Sequence, residues 1–450
     1  MKKNLIKYKI VAVLFGLFGT FQVQAQQPEQ LTLEKAVESA LEKNNLLHIK
    51  KLQVNEQEAK IKEANVKKYP VVSLNSTYQY NTNTGNLSIP AGAFGQVANG
   101  GSTIFLPGDN LNFELGKHNN FNAGVSAYQP ITQLGKIKTG IDIAKTDRSI
   151  SEIEQSKSGL RITNNVEQLY YGILAVRKRK EEYHKNIEVA QLQLYDVESA
   201  LLSGNTILAS KAGSKANISD EEQELIKLKF QEEDYIADFK ILTGIEADSL
   251  EFTDEKASEN FDKNLEDFQK DAVKNNVDNR LTALQTQKSE LSIKAVKQSD
   301  IPEIGIIGAY NYQEGNAIFP KNNAYVGASL RWNIQDLFSN KYLISQRKLI
   351  KEQAVENEIY TKKETAVSVE KSYRKMKQAE ELIGVAEKAV YYRQQQLKVE
   401  KDRNTAGLNK PVDLLQVEAD LAKSQADLYG AIQSHRSSLS DLIALSQSGR

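Results

Sequence analysis

Polar and apolar residues alternate along the stretch "VVSLNSTYQY", which follows Pro70. The alternation separates two columns, Val72, Leu74, Ser76, Tyr78 and Tyr80 on one side and Val71, Ser73, Asn75, Thr77 and Gln79 on the other. A period of two residues is typical of a strand with one apolar and one polar face. The pattern predicts a strand over about 71–81, although the flanking sequence reads as charged helix.

The same strand occurs a second time downstream. After Pro302, the stretch "EIGIIGAYNY" places Tyr310 and Tyr312 at a constant offset of 232 residues from Tyr78 and Tyr80. A helical segment containing "KNN" precedes each copy. The second strand is predicted over about 303–313, and the chain is predicted to contain an internal repeat.

Each copy is followed by another alternating strand. "GVSAYQPITQL" from Gly124 aligns with "GASLRWNIQDL" from Gly327 at an offset of 203, and these segments predict strands over about 121–131 and 325–335. The polar column of the last strand includes Tyr325 and Arg331, and Trp332 continues the apolar column. Since the offset falls from 232 to 203, the first intervening loop is 29 residues longer than the second.

Apolar residues then recur with a spacing of 3.5 residues, which predicts long helices in supercoiled contact. The first seam runs through Ile162, Val166, Leu169, Ile173 and Val176 and on to Leu201, with only Lys180 out of type. The predicted helices cover about 135–202, 206–244, 339–404 and 411–445. Gly204 and Gly407 mark helix ends at the turns, and Pro411 suits the first turn of the next helix.

The N-terminus predicts export. Lysines precede a short apolar run and a small-residue pattern ending at Ala25, so 1–25 is predicted to be a signal peptide cleaved after Ala25. The alternative, a membrane anchor, needs an apolar run of roughly 20 residues. The mature chain divides into a first repeat at 26–245, a linker at 246–265 and a second repeat at 266–446.

Composition excludes several classes of function. Basic and acidic residues balance at 58 each, so no basic field for nucleic acid is expected. Cysteine is absent, and the four histidines have no partner at a metal-ligand spacing. No catalytic, cofactor or metal site is predicted, and the protein is not expected to be an enzyme.

Four strands of about ten residues match tilted membrane-spanning strands. Lipid cannot satisfy an open sheet edge, and such barrels begin at eight strands, so one chain cannot close a barrel. A dimer would give eight strands, a trimer twelve and a tetramer sixteen. The physical argument leaves the three open.

The signal peptide, the duplicated helix-strand-strand-helix-helix unit and the "GLNKPVDLL" turn resemble the TolC-like outer-membrane efflux channel family. The resemblance implies an α+β membrane protein, a homotrimer with a twelve-stranded transmembrane β-barrel continued by a periplasmic α-helical coiled-coil barrel. It also implies contact with outer-membrane lipid and two partners, a periplasmic adaptor (membrane fusion protein) and an inner-membrane transporter. The implied function is a passive duct of a tripartite efflux or type I secretion system.

The family narrows its periplasmic entrance with aspartates after the second helical turn. Carried onto this chain, the aperture positions are Asp413, Gln416, Ser210 and Asn409, of which only Asp413 is charged. An aspartate in the first turn of a helix also stabilises the helix dipole whatever the function. Both interpretations of Asp413 stand at this point.

The alternation within each strand gives the strand residues their expected places. Ser73, Asn75, Thr77, Gln79 and Arg331 are expected to face the barrel lumen, although Arg331 could instead meet headgroups. Interfacial aromatics are expected at Tyr78, Tyr80, Tyr310, Tyr312 and Trp332, against the alternative of ordinary strand aromatics. The rival function is a soluble periplasmic coiled-coil adaptor or scaffold, which would have no need of lipid-compatible strand faces.

Overall fold

The computed structural model describes residues 29–99, 101–246, 250–253, 263–316, 319–408 and 410–446. The predicted signal peptide with Ala25, and the aperture position Asn409, lie outside these ranges. Within the described ranges, no helix combines the length and the apolarity needed to cross a lipid bilayer.

The first half of the chain contains two short helices, a set of strands and two long helices. In order, these are β1 (Glu29–Leu31), α1 (Leu33–Lys43), α2 (Asn45–Val66), β2 (Val71–Tyr80), β3 (Asn86–Ile89), β4 (Gln96–Asn99), β5 (Ser102–Phe105), β6 (Leu111–Glu114), β7 (Gly116–Pro130), α3 (Leu134–Leu202), α4 (Leu208–Thr243) and β8 (Leu250–Phe252). β8 lies within the segment that was expected to be only a linker.

The second half repeats this order with fewer strands. It contains α5 (Leu265–Asn275), α6 (Val277–Gln298), β9 (Glu303–Asn316), β10 (Asn322–Arg331), α7 (Ile334–Thr405) and α8 (Pro411–Ser446). β10 ends four residues before the predicted boundary at 335, and Trp332 lies outside the strand. β10 ends at Arg331 because Arg331 pairs with Glu303, the first residue of its partner β9. Beyond it, Asn333 Nδ2 donates a hydrogen bond to Asp336 Oδ1 at 2.9 Å at the start of α7.

An asparagine separates the two short helices of each half. Asn44 lies between α1 and α2, and its Nδ2 donates to the carbonyl of Leu242 at 3.0 Å. Asn276 lies between α5 and α6, and its Nδ2 donates to the carbonyl of Leu445 at 2.9 Å. The offsets of 232 and 203 found in the sequence relate these two pairs. The duplication therefore extends to a buried hydrogen bond that joins a helix break to the end of a long helix.

The described residues fall into two compact units, each with segments from both halves. The helical unit comprises the described parts of Met1–Asn44, Ile162–Asp262 and Lys375–Ser438. Its aromatic centre contains Tyr170, Phe239 and Phe252, whose rings meet edge to face. Tyr170 Oη lies 2.9 Å from the carbonyl oxygen of Leu31, so this centre secures the parallel pair of β1 and β8.

The sheet unit comprises the described parts of Asn45–Arg161, Lys263–Arg374 and Leu439–Arg450. Its main sheet has the strand order β10, β9, β7, β2, and all neighbours are antiparallel. Within the described chain, β2 and β10 are the edge strands of this sheet. β3 pairs with β6 and β4 pairs with β5, forming two small ribbons between β2 and β7.

The predicted helical seam is buried over its first turns. Ile162, Val166, Ile173 and Val176 on α3 are at most 6% exposed. The positions 203 residues later on α7 are Thr365, Val369, Met376 and Ala379, which are buried too. Both long helices therefore bury the same stripe, as expected for a repeated unit.

Candidate functional site

The main sheet presents one continuous polar face. A row across the four strands consists of Asn75, Gly124, Asn311 and Asn323. Away from the strand ends that adjoin the helices, this face consists of Ser73, Asn75, Thr77, Gln79, Asn120, Asn122, Gly124, Ser126, Ala309, Asn311, Gln313, Asn323 and Tyr325. This part of the face carries mainly hydroxyl and amide groups and no charge, so water can wet it.

The opposite face of the same sheet is apolar and open. One row across it consists of Leu74, Val125, Tyr310 and Ala324. Leu74 is 76% exposed and Val326 is 83% exposed. Such a contiguous apolar face requires a cover of lipid or protein.

Two glycines keep the polar face shallow. A side chain at Gly124 would overlap the amide of Asn311 on the neighbouring strand. A side chain at Gly305 would overlap the ring of Tyr128, which lies across it. These glycines allow long side chains to lie flat on the sheet instead of standing out from it.

Charge collects at one end of the polar face. Glu303, the first residue of β9, pairs with Arg331, the last residue of β10. Tyr128 Oη donates to Glu303 Oε1 at 2.9 Å. The structure thus places Arg331 on the same face as Ser73 and its column, but at the margin next to the helices α6 and α7.

The tyrosines lie at the other end of the strands, on the apolar face. Tyr78 Oη donates to Asn119 Oδ1 at 2.7 Å, and Tyr310 Oη donates to Asn322 Oδ1 at 3.0 Å. The two pairs are related by the offsets of the repeat. Each hydroxyl is therefore bound at the polar end of its strand while the ring stays on the apolar surface, an arrangement suited to an interface.

The remaining predicted aromatics have different surroundings. Tyr80 stacks on His118 with ring centroids 5.8 Å apart. Tyr312 Oη lies 3.4 Å from Glu314 Oε2. Trp332 is 48% exposed and follows the end of β10, near the charged margin. The structure brings the tyrosines together at one end and separates Trp332 from them.

The two turns that join the long helices, α3 to α4 and α7 to α8, have the same backbone geometry. Gly204 has φ 77° and its N–H donates to the carbonyl of Leu201, while the N–H of Asn205 donates to the carbonyl of Ala200. Gly407 has φ 68° and makes the equivalent bond to Asn404, while Leu408 donates to Arg403. This pair of bonds is the Schellman motif, and the left-handed residue in it is glycine because a Cβ is disfavoured there.

The three predicted aperture residues that the structure describes, Asp413, Gln416 and Ser210, form hydrogen bonds near these turns. Asp413 Oδ2 accepts the backbone N–H of Lys410 at 3.2 Å, which is one half of a capping box. Gln416 Nε2 donates to Asp420 Oδ1 at 3.2 Å, and Asp420 forms an ion pair with Arg393. The structure therefore contains a hydrogen bond by which Asp413 stabilises the start of α8.

Ser210 lies in the first turn of α4, the corresponding position of the first half. Its hydroxyl accepts a hydrogen bond from Thr206 Oγ1 at 3.1 Å. Beside it, Lys211 pairs with Glu198 at 2.8 Å, and this bond lowers the pKa of the exposed Glu198. The first turn therefore places one ion pair between its two helices.

A set of ion pairs between long helices was missed in the sequence. Arg177 Nε and Lys180 Nζ on α3 both donate to the Glu232 carboxylate on α4, at 2.8 and 2.6 Å. Arg179 reaches Asp427 and Lys185 reaches Glu418, both on α8. The sequence contained one sign of these ion pairs, namely Lys180, the one charged residue in the apolar seam. Its pairing with Glu232 explains why a charged residue stands at that position.

Burial raises the pKa of the Glu232 carboxyl, but the hydrogen bonds from Lys180 and Arg177 outweigh it and hold the pKa below the ordinary value. Among the described residues, no group of three or more histidine, aspartate and glutamate side chains is placed to hold a metal ion.

Residues 36–234 and 269–446 match the model of the outer membrane efflux protein family. A comparison with curated protein sequences gives no match. Among solved structures, the fold is similar to the Campylobacter jejuni CmeC outer membrane channel, with a TM-score of 0.71 and 15% identity over 93% of this chain and 86% of that one. It is also similar to the outer membrane protein VceC from Vibrio cholerae, with a TM-score of 0.66 and 14% identity over 92% and 96% of the two chains. A third similar structure is the open state of the Neisseria gonorrhoeae MtrE outer membrane channel, with a TM-score of 0.60 and 15% identity over 92% and 89%.

Proposed function

We propose, from the premise that this chain belongs to the outer membrane efflux protein family, that three copies form one passive duct in a tripartite efflux or type I secretion system. The match to most of the chain confirms the family resemblance, the helix-rich α+β fold and the outer-membrane location. Members of this family are transport channels and not enzymes.

The two-faced sheet is the observation that carries the proposal. Its polar face would line a water-filled lumen, with Ser73, Asn75, Thr77 and Gln79 contributed by β2 and Arg331 at the margin. Its apolar face would contact lipid. β2 and β10 are edges within the described chain, and lipid does not tolerate open edges, so the sheet requires strands from further copies.

Three copies give twelve strands, the number that the family resemblance implies, whereas geometry alone would also allow two or four. The partners proposed on the same basis are a periplasmic adaptor and an inner-membrane transporter, which would supply the energy that a passive duct lacks. A soluble periplasmic adaptor is disfavoured because Leu74 and Val326 would be left in water.

Matched charges on the two faces test this orientation. Leu74→Arg places a charge on the apolar face, and Asn75→Arg places the same charge on the polar face one residue later. We expect Leu74→Arg to abolish insertion, since arginine at the centre of a lipid-facing strand costs about 2–4 kcal/mol, while Asn75→Arg inserts normally. The measurement is the amount of heat-modifiable trimer in isolated outer membranes. Equal insertion of the two variants would contradict the proposed faces, and a detergent-extracted mass of two or four copies would contradict the trimer.

We also propose that Asp413 forms a ring of three carboxylates at the periplasmic entrance, with Gln416, Ser210 and Asn409 as uncharged neighbours. Asp413→Asn separates the two roles of this residue, because the asparagine amide oxygen can still accept the Lys410 N–H. The expected result is a loss of cation preference in single-channel currents with unchanged thermal stability. An unchanged cation preference would leave Asp413 with the capping role alone.

A further inference from the structure

The connection between β2 and β7 contains four strands, whereas the described residues between β9 and β10 contain none. Residues 81–115 contain β3 to β6, whereas only residues 317–321 connect β9 to β10. Backbone hydrogen bonds hold the connection together, from Gly92 to Pro107 at 2.9 Å and from Phe94 to Leu106 at 2.7 Å. The side chain of Asn110 also accepts the N–H of Ala91 at 2.8 Å. We call residues 86–114, which contain both strand pairs, the ribbon.

The ribbon has one apolar and one polar face. Leu87 pairs with Phe113 and Ile89 pairs with Leu111, which places these four side chains on one side. The intervening pairs, Asn86 with Glu114 and Ser88 with Asn112, face the other way. Further along, Val97 pairs with Ile104.

The apolar face of the ribbon is uncovered in the single chain. Leu87 is 47% exposed and Phe113 is 49% exposed. A two-stranded ribbon is marginally stable alone, and an exposed apolar face on such a ribbon indicates a contact surface. The question is what covers it.

Charge and position argue against lipid. Residues 81–115 contain no lysine or arginine, and their only charges are Asp109 and Glu114. A surface that binds anionic headgroups is expected to be basic. The ribbon also begins beyond Tyr78 and Tyr80, which are expected at a membrane–water interface, so its apolar face would lie outside the hydrocarbon.

Position favours a second copy of this chain. The ribbon follows directly from β2, whose outer edge has no partner among the described strands. In the duct proposed above, that edge borders the next copy, so the ribbon continues the same interface. Three copies bring three apolar faces of identical shape to the outer mouth.

We propose, resting on the proposed trimeric duct, that the ribbons of three copies dock on one another through Leu87, Ile89, Leu111 and Phe113 and form an apolar collar around the outer mouth. The collar narrows the exit above the polar lumen. A ribbon contact of this kind has no counterpart in the second half, where the connection is short.

Single cysteines test the contact, because the chain has no cysteine of its own. Leu87→Cys and Ser88→Cys are adjacent, exposed and on opposite faces of the ribbon. Intact outer membranes containing either variant are treated with a short bis-maleimide crosslinker. We expect at least tenfold more covalent dimer from Leu87→Cys than from Ser88→Cys, because one thiol per chain allows the crosslinker to join two copies.

The outcomes separate a failure of the collar from a failure of the duct. Equal or absent crosslinking from both variants, with a normal trimer mass in detergent, would overturn the collar and leave the duct intact. Absence of the trimer itself would overturn the duct. A bimane probe on Leu87→Cys that is quenched by brominated lipid would assign the apolar face to the membrane and also overturn the collar.

A second measurement does not depend on crosslinking. Phe113→Ser should widen the mouth and raise the single-channel conductance, while Asn112→Ser on the polar face should leave it unchanged. A conductance that is unaffected by Phe113→Ser would contradict a collar that narrows the exit.

Discussion

The two halves of the chain exchange an acidic and a basic residue between the same two positions. In the first half, Arg177 on α3 binds Glu232 on α4. The positions 203 residues later are Glu380 on α7 and His435 on α8. Acid and base have exchanged places, and the base has become a histidine.

The exchange changes how each pair responds to protons. The first pair is an ion pair, in which Arg177 Nε lies 2.8 Å from the Glu232 carboxylate. Burial lowers the pKa of His435, with Arg436 and Lys377 acting in the same direction and Glu380 opposing them. His435 Nδ1 is buried and has no hydrogen-bond partner among the described residues. In the second pair, His435 is therefore neutral near neutral pH.

The comparison shows that duplication has kept geometry more strictly than charge. The break residues Asn44 and Asn276 make equivalent hydrogen bonds, and Gly204 and Gly407 make equivalent turns. Side chains between the long helices have diverged: Glu232 is bound by Arg177 and Lys180, whereas His435 at the related position has a buried nitrogen with no hydrogen-bond partner in the described part of the chain.

The largest expected effect concerns the apolar position that both halves bury completely. Phe239 and Leu442 are related by the repeat and are each 0% exposed. Phe239→Ala and Leu442→Ala should each lower the free energy of unfolding by about 3–5 kcal/mol through lost burial and a cavity. Chemical unfolding of the detergent-solubilised protein measures this, with exposed Leu408→Ala as the control. A large effect in only one half would break the equivalence of the two cores.

The asparagine breaks should give the next largest effect. Asn276→Ala removes a helix cap and a buried hydrogen bond to Leu445, and should cost about 2 kcal/mol. Asn276→Asp keeps the acceptor for the Asn279 N–H but turns a carboxylate oxygen toward the Leu445 carbonyl in a buried position, so it should cost at least as much at neutral pH. Asn44→Ala and Asn44→Asp should follow the same order in the same unfolding assay. Stability unchanged in both alanine variants would show that the shared bonds are dispensable.

The charged pairs should give the smallest effect and the clearest difference between the halves. The pKa of Glu232 lies below its ordinary 4.5, so its stabilising contribution is present above pH 4.5 and is lost as the pH falls through the lower folded value. The pKa of His435 lies below its ordinary 6.5, so the unfolded chain binds a proton first and stability falls as the pH drops below 6.5.

Two variants separate these pH windows. Glu232→Gln should cost about 1 kcal/mol at pH 7 and reduce the loss of stability in strong acid. His435→Gln should remove the decline that begins below pH 6.5 and leave the acid limb unchanged. The measurement is the unfolding midpoint from about pH 8 down to about pH 2, which covers both pH windows. If stability still declines below pH 6.5 in His435→Gln, the decline comes from another group.

Periodicity in the sequence predicted much of the fold. The alternation around Leu74 and the seam through Val166 located strands and long helices to within a few residues, since period-2 and period-3.5 patterns are strong over long segments. β1 and β8 were not predicted because three-residue strands carry no periodic signal. Their parallel pairing depends on Tyr170, which is more than a hundred residues from Leu31 along the chain.

The candidate site was predictable only in part. The polar column of β2 could be identified residue by residue, because alternate residues of a strand face the same side. The pairing of Glu232 with Lys180, the bond from Tyr78 to Asn119 and the amphipathic ribbon join residues that are distant in sequence or lie on irregular turns. The 29-residue length difference indicated an insertion but gave no information about its fold.

The open edges of β2 and β10 have a genetic consequence. If each chain supplies one third of a closed wall, one defective strand spoils a duct that contains two sound copies. In a cell making sound and defective chains in equal amounts, random assembly would leave only about one duct in eight fully sound. An allele that inserts but cannot conduct would therefore be dominant over the wild type, whereas one that cannot insert at all would be recessive.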